Sequence, residues 1–297
     1  MLFSFETLSA QQFIPLWPDG AMPNSKGLLL EDKIVNERIV TVGTPGIHAF
    51  FPASAENRRC AVLICPGGGY ERIAYIGSGL QLAKWFNSIG ITAFVLNYRL
   101  PTSPDLEEKE KGALQDAQRA MKLIRANAKN WNIDSSKIGV QGTSAGGHLA
   151  AMLGTMTKDL SAIHDSLDKI SCRPDFMLLL SPVISMGEFA HQGSRKNLLG
   201  EQPTSEMIHA YSAELQVSAS TPSTFIVHAF NDKAVSPKNS FLFYEALLNK
   251  KITSSLHIFP QGAHAILLHH NPGSVEQWTS LCSAWLDEMG FTTDIKK

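Results

Sequence analysis

Cysteine is scarce in this sequence, with four residues in 297. So few in a chain this long do not make a disulfide framework. Cys60 and Cys65 share one apolar run of strand character, where their odd separation turns them to opposite faces and forbids a mutual bridge. Cys172 and Cys282 are remote from each other in sequence. Free, buried thiols are expected. Metal-binding patterns are missing too. There is no Cys-x-x-Cys pair and no His-Glu-x-x-His, so a structural metal is not expected.

No apolar stretch reaches the roughly 18 residues that cross a bilayer. Neither sign of charge dominates: 26 Lys and Arg face 27 Asp and Glu, and the basic residues are scattered. That excludes the basic footprint of a nucleic-acid or anionic-membrane binder. The dense run Glu107-Glu108-Lys109-Glu110-Lys111 mixes signs and reads as a solvated loop or helix start. Met1–Gln11 lacks a basic stretch and contains Glu6, so as given it does not read as a signal peptide, although Leu8-Ser9-Ala10-Gln11 looks a little like the end of one. Compartment and oligomeric state are left unassigned.

What is present is ordinary globular material, 44% of it hydrophobic. Strand-length apolar runs alternate with longer segments of helical period, and no internal repeat interrupts them. Glu37–Val42 and Ile47–Phe51, split by Gly43-Thr44-Pro45-Gly46, read as an antiparallel hairpin. Cys60–Cys65 is continuously apolar, as in a strand buried on both faces. Further strands are predicted over 91–96, 138–141, 176–180, 225–229 and 256–259. Helices are predicted over 79–88, 113–128, 145–156, 239–249 and 275–289. Strands separated by helices imply one α/β domain over 1–297, with a mostly parallel sheet covered by helices on both faces. The stretch from about 185 to 221 is polar and poorly periodic. It reads as an insertion too polar to be core, of the length of a lid or binding loop.

Gly142-Thr143-Ser144-Ala145-Gly146 fits Gly-x-Ser-x-Gly, after a predicted strand and at the start of a predicted helix. A sharp strand-to-helix turn puts the serine in strained geometry, and glycines two residues either side let neighbouring elements approach. The new helix aims its N-terminus at the serine, which favours developing negative charge. Ser144 is therefore the candidate nucleophile. Pro66-Gly67-Gly68-Gly69-Tyr70 follows the Cys60–Cys65 strand without the Gly-Lys-Ser/Thr of a phosphate loop. Backbone N–H groups of Gly68 and Gly69, with that of Ala145, are the candidate donors of an oxyanion hole.

A serine needs a base, and the chain offers ten histidines. His264 lies just past the 256–259 strand, at the C-terminal sheet edge where α/β sites form. His148 is one turn into the helix after Ser144 and reads as packed or locally bonded. His228 and His257 lie inside strands and read as core or sheet-face residues. His191 and His209 fall in the polar insertion, and the His269-His270 pair reads equally as surface. Asp232 follows the 225–229 strand at the same edge, although turns commonly hold an aspartate. The order Ser144, Asp232, His264 selects it. Asp165 and Asp175 precede a strand, at the wrong end, and Asp134 reads as turn chemistry.

On these motifs the chain resembles the α/β-hydrolase family of serine esterases, and within it the carbohydrate acetyl esterases of the acetyl-xylan-esterase or lipase-like type. The likeness runs over nearly the whole chain. It includes Ile14-Pro15-Leu16-Trp17-Pro18-Asp19-Gly20, Asn97-Tyr98-Arg99-Leu100-Pro101, Gly193–Gly200 and Ser220–Phe225. The resemblance implies an α/β-hydrolase fold, with Ser144 as nucleophile, Asp232 as acid, His264 as base and the glycine loop as oxyanion hole. It implies no cofactor and a small-molecule or oligosaccharide ester as substrate, with a short acyl group. Pro66 stands where many relatives carry histidine, Asn231 where an acid is frequent, and Ser236 where proline is frequent. Tyr70, Trp17 and Arg99 are candidates for the pocket wall. Each could instead be a packing residue, and Arg99 a buttress of the glycine loop. A peptidase of this fold would normally add a large extra domain. A lipase or general carboxylesterase would differ in acyl preference. A non-catalytic binding protein of this fold would usually have lost a triad member, and all three are present.

Overall fold

The computed structural model describes residues 12–18, 21–264, 266, 268 and 270–292. Met1–Gln11, Asp19-Gly20 of the opening motif and His269 lie outside the described residues.

In chain order the strands are β1 (Gln12–Pro15), β2 (Lys33–Val35), β3 (Arg38–Thr41), β4 (Gly46–Phe50) and β5 (Ala61–Cys65). Helix α1 (Gln81–Ser88) continues a π-helical turn over Ile76–Leu80, and β6 (Thr92–Asn97) follows. Then come α2 (Gly112–Ala126), β7 (Ile138–Thr143), α3 (Ala145–Thr155) and β8 (Phe176–Leu180). The chain continues through α4 (Gln192–Leu199), α5 (Ser205–Ala210), β9 (Ser223–Ala229), α6 (Lys238–Asn249), β10 (Ser254–Phe259) and α7 (Trp278–Glu288).

Eight strands form one sheet in the order β1-β4-β6-β5-β7-β8-β9-β10. From β6 to β10 every pairing is parallel, and β4 and β1 add antiparallel strands at one edge. The continuous apolar runs explain the parallel centre: β5, β6 and β8 are buried at every residue. Such strands need cover on both faces. One core cluster gathers α2 and α3 residues such as Met121, Ile124 and Leu149. The other packs Leu82 and Phe86 of α1 with Trp278, Cys282 and Trp285 of α7.

The hairpin expected between Glu37–Val42 and Ile47–Phe51 does not form. Instead β3 turns back onto β2 in a separate two-stranded sheet, while β4 pairs with β1 and β6. Pairing with the central β6 completely buries Ile47 and Ala49, which a two-stranded hairpin would leave half solvated.

The 185–221 segment also departs from expectation. It carries two short helices, and Leu198, Leu199, Ala213 and Val217 belong to the main core. Each short element supplies only one or two apolar residues, so no periodicity accumulates along the sequence. Asn239 of α6 anchors the start of the segment, its Oδ1 accepting from Ile184 N at 2.9 Å and Ser185 N at 3.0 Å.

All four cysteines are free. Cys60, Cys65 and Cys282 are fully buried, and burial pushes their thiols up. Cys172, partly exposed, is raised chiefly by burial as well. A thiol titration should therefore find only Cys172 reactive in the native protein. All four cysteines should react after unfolding without reductant, and two fewer would reveal a disulfide.

Candidate active site

The parallel strands β7, β9 and β10 end at one sheet edge, so the residues that follow them converge. Ser144 follows β7, Asp232 follows β9 and His264 follows β10. Ser144 sits at φ 57° and ψ −123°, between strand and helix. Its N–H donates to Leu180 O at 3.1 Å, and its carbonyl accepts from Val183 N at 3.0 Å. These bonds to the end of β8 and to the segment just beyond it hold the unfavourable φ in place. The helix meets the sheet closely here: a Cβ on Gly146 would lie 2.0 Å from Cys65 O. Nothing larger than glycine fits without moving α3 off the sheet.

Ser144 Oγ lies 2.8 Å from His264 Nε2, and His264 Nδ1 lies 2.7 Å from Asp232 Oδ2. A carboxylate can only accept, so Nδ1 carries the proton and Nε2 presents its lone pair to the serine hydroxyl. Asp232 receives more than this histidine. Its Oδ1 accepts from Ala234 N and Val235 N, both at 2.9 Å. Its Oδ2 also meets His228 Nε2 at 3.1 Å. That nitrogen lies 3.0 Å from Val235 O too, so between two acceptors it must be the protonated one. Ser240 Oγ holds the far side of the His228 ring at 2.7 Å.

Burial alone would raise the Asp232 carboxyl. The hydrogen bonds from His228, His264 and Val235 N–H outweigh it and hold the group well below the usual carboxylate range. For a depressed carboxylate the linked stability is complete above about pH 4 and is lost only as pH falls through the lowered folded value. Asp232 is thus anionic throughout the neutral range. Asn231 ties the two loops together, its Oδ1 accepting from Ala263 N at 2.8 Å.

Ser144 and His264 open onto a cavity of about 500 Å³. Gly67, Gly68 and Gly69 form part of its wall, with Leu82, Ile266 and Leu268 as apolar lining and Arg38 and Arg72 as basic lining. The glycine loop is well supported. Gly67 N donates to Ser78 Oγ at 3.0 Å, and Tyr98 Oη donates to Pro66 O at 2.9 Å. Gly68 adopts φ +135°, and a Cβ there would strike Arg72 O at 2.0 Å. Ala145, the first residue of α3, is fully buried directly behind Ser144.

The BD-FAE family profile matches residues 47–247. Among curated relatives, the endo-1,4-β-xylanase B of Butyrivibrio fibrisolvens is 36% identical over 222 residues, covering 75% of this chain and 34% of that protein. The acetylxylan esterase of Xylanibacter ruminicola is 34% identical over 231 residues, covering 75% of this chain and 44% of that protein. This chain spans less than half the length of these relatives. Among solved structures, an acetyl ester-xyloside bifunctional hydrolase from Caldicellulosiruptor lactoaceticus matches with TM-score 0.80 at 38% identity, covering 95% of this chain and 97% of that one. The chain belongs to the BD-FAE family. Its mostly parallel sheet and this likeness give it the α/β-hydrolase fold.

Three residues expected at the pocket of this BD-FAE chain lie elsewhere. Tyr70 is 1% exposed, with its hydroxyl on His148 Nδ1 at 2.8 Å and its ring edge-on to Tyr98. The backbone at Tyr70 turns through φ 60°, and the side chain is buried behind the glycine loop. Arg99 is 2% exposed and paired with Asp116 at 2.8 Å. Trp17 joins that buried group, its Nε1 donating to Asp116 Oδ1 at 2.8 Å. All three are packing residues, and Tyr98 rather than Arg99 supports the loop.

Among the described residues His148 bonds to Tyr70 Oη and Tyr211 O, and burial lowers it to about 4. It is a neutral core histidine. Two other histidines carry more than their positions in the sequence suggest. His228 looked like a sheet residue, yet it lies four positions before Asp232 and grips it. His191 falls in the polar insertion, yet it lines the cavity. Replacing His228 with alanine strands the Ser240 hydroxyl and one acceptor site on Asp232 in a buried place. A loss of about 1–3 kcal/mol in urea unfolding is expected. An unchanged midpoint would show that water replaces the ring without cost.

Proposed function

We propose that this chain is a serine esterase that removes acetyl groups from carbohydrate esters of the xylan type. The observation that carries the reading is the unbroken relay from Ser144 through His264 to an ionised Asp232, opening onto the glycine-walled cavity. The names of the relatives, an acetylxylan esterase among them, support the choice of acyl group and alcohol. We read residues 1–297 as one α/β-hydrolase domain, with the segment at about 185–221 as an insertion beside the site.

The reaction follows from the geometry. Ser144 Oγ forms a bond to the ester carbonyl carbon while His264 Nε2 takes its proton. The carbonyl oxygen becomes an oxyanion facing the N–H groups of Gly68, Gly69 and Ala145, each such donor being worth about 10²–10³ in rate. Asp232 stabilises the imidazolium and preserves the tautomer that makes Nε2 a base. The C–O bond to the sugar then breaks, and His264 hands the proton to the departing alkoxide. A water, deprotonated by His264, attacks the acyl-enzyme, and acetate leaves as Ser144 recovers its proton. Nothing in this sequence of steps calls for a cofactor or metal.

The test is acetate release from acetylated xylo-oligosaccharides beside a long-chain ester. Wild type should strongly prefer the acetyl substrate. Ser144→Ala and Asp232→Asn should each lose about 10⁴-fold or more in kcat while remaining folded. Preference for the long chain would replace this reading with a lipase. Activity that survives in Ser144→Ala would remove the serine from the mechanism.

A further inference from the structure

We infer that His191 is a substrate-binding residue, whose Nε2–H donates a hydrogen bond to a sugar oxygen in the alcohol part of the ester. The inference rests on the esterase reading above and adds a specificity residue to it.

The argument begins at the helix start. His191 occupies the N-cap of α4, a position that serine, threonine, aspartate or asparagine usually fills. Its Nδ1 accepts from Ser194 N at 3.2 Å and meets Ser194 Oγ at 2.8 Å. A backbone N–H can only donate, so Nδ1 holds a lone pair and the ring proton sits on Nε2. Burial lowers the histidine, the nearby His264 lowers it further, and Asp232 opposes them more weakly, so the ring is neutral and this tautomer holds. Nε2 has no hydrogen-bond partner among the described residues, and the ring lines the cavity shared by Ser144 and His264.

The donor is also rigidly placed. Ser194 is fully buried, and Leu198 and Leu199 of the same helix are in the core. From the next turns of α4, Asn197 Nδ2 donates to Gly69 O at 2.8 Å and clasps the helix to the glycine loop. The insertion therefore holds an oriented, uncharged N–H on the wall of the cavity that Ser144 also lines. A donor of this kind distinguishes alcohols by their acceptors. A sugar offers hydroxyl and ring oxygens beside the ester, whereas a plain aryl alcohol offers none.

The experiment measures kcat and KM for acetylated xylo-oligosaccharides and for phenyl acetate, in wild type, His191→Asn and His191→Phe. Asparagine keeps an N-cap acceptor but is too short to replace Nε2–H, so it separates helix capping from substrate binding. The ratio of kcat/KM, oligosaccharide over phenyl acetate, should fall about tenfold in both variants, the worth of one neutral hydrogen bond, and mainly through KM. An unchanged ratio in His191→Asn would overturn the inference, as would equal losses on both substrates, which would make His191 a support of the triad. If wild type cleaves phenyl acetate but no sugar ester, the carbohydrate reading falls and this inference falls with it.

Discussion

The strand-to-helix turn at Ser144 is the constraint around which the rest of the site is arranged. A non-glycine residue at φ 57° and ψ −123° is strained by about 1–3 kcal/mol. The surroundings hold it there. The backbone of Ser144 bonds both to the end of β8 and to the segment just beyond, and every residue of α3 is buried. Glycine at 146 lets α3 press against the end of β5, where the glycine loop begins. One backbone strain thus sets the serine, the helix N-terminus and the loop in a common frame.

The second organising group is the Asp232 carboxylate. Four hydrogen bonds converge on it, two from backbone and two from histidines. A charge buried this deeply is stable only when saturated in this way. The same bonds join the loops after β9 and β10, so the electrostatics of the site and its geometry have one cause. The 185–221 segment lines another part of the cavity, and Asn197 joins it to the glycine loop at Gly69.

The parts of the molecule legible in the sequence are those written in contiguous residues. Continuous apolar runs marked the parallel strands, and the motif around Ser144 marked the turn. The placement of Asp232 and His264 at the sheet edge of Ser144 was legible because both follow apolar strands. What escaped depended on contacts between distant residues. The β3–β4 hairpin lost to pairing with β6, a choice that local turn residues do not encode. Tyr70 and Arg99 adjoin the motifs in sequence, but a positive φ and a buried Asp116 draw them into the core. His191 and His228 gave no signal of their own. The offsets to Ser194 and Asp232 existed in the sequence, but they acquire meaning only once helix and strand ends are known.

The central claim is that Ser144 is the nucleophile activated by His264. The most direct measurement is covalent labelling with a fluorophosphonate, mapped by mass spectrometry of the digested protein. The account predicts one modified residue, Ser144, with labelling slowed severely in His264→Ala. Modification at another serine, or undiminished labelling of Ser144 without His264, would contradict it.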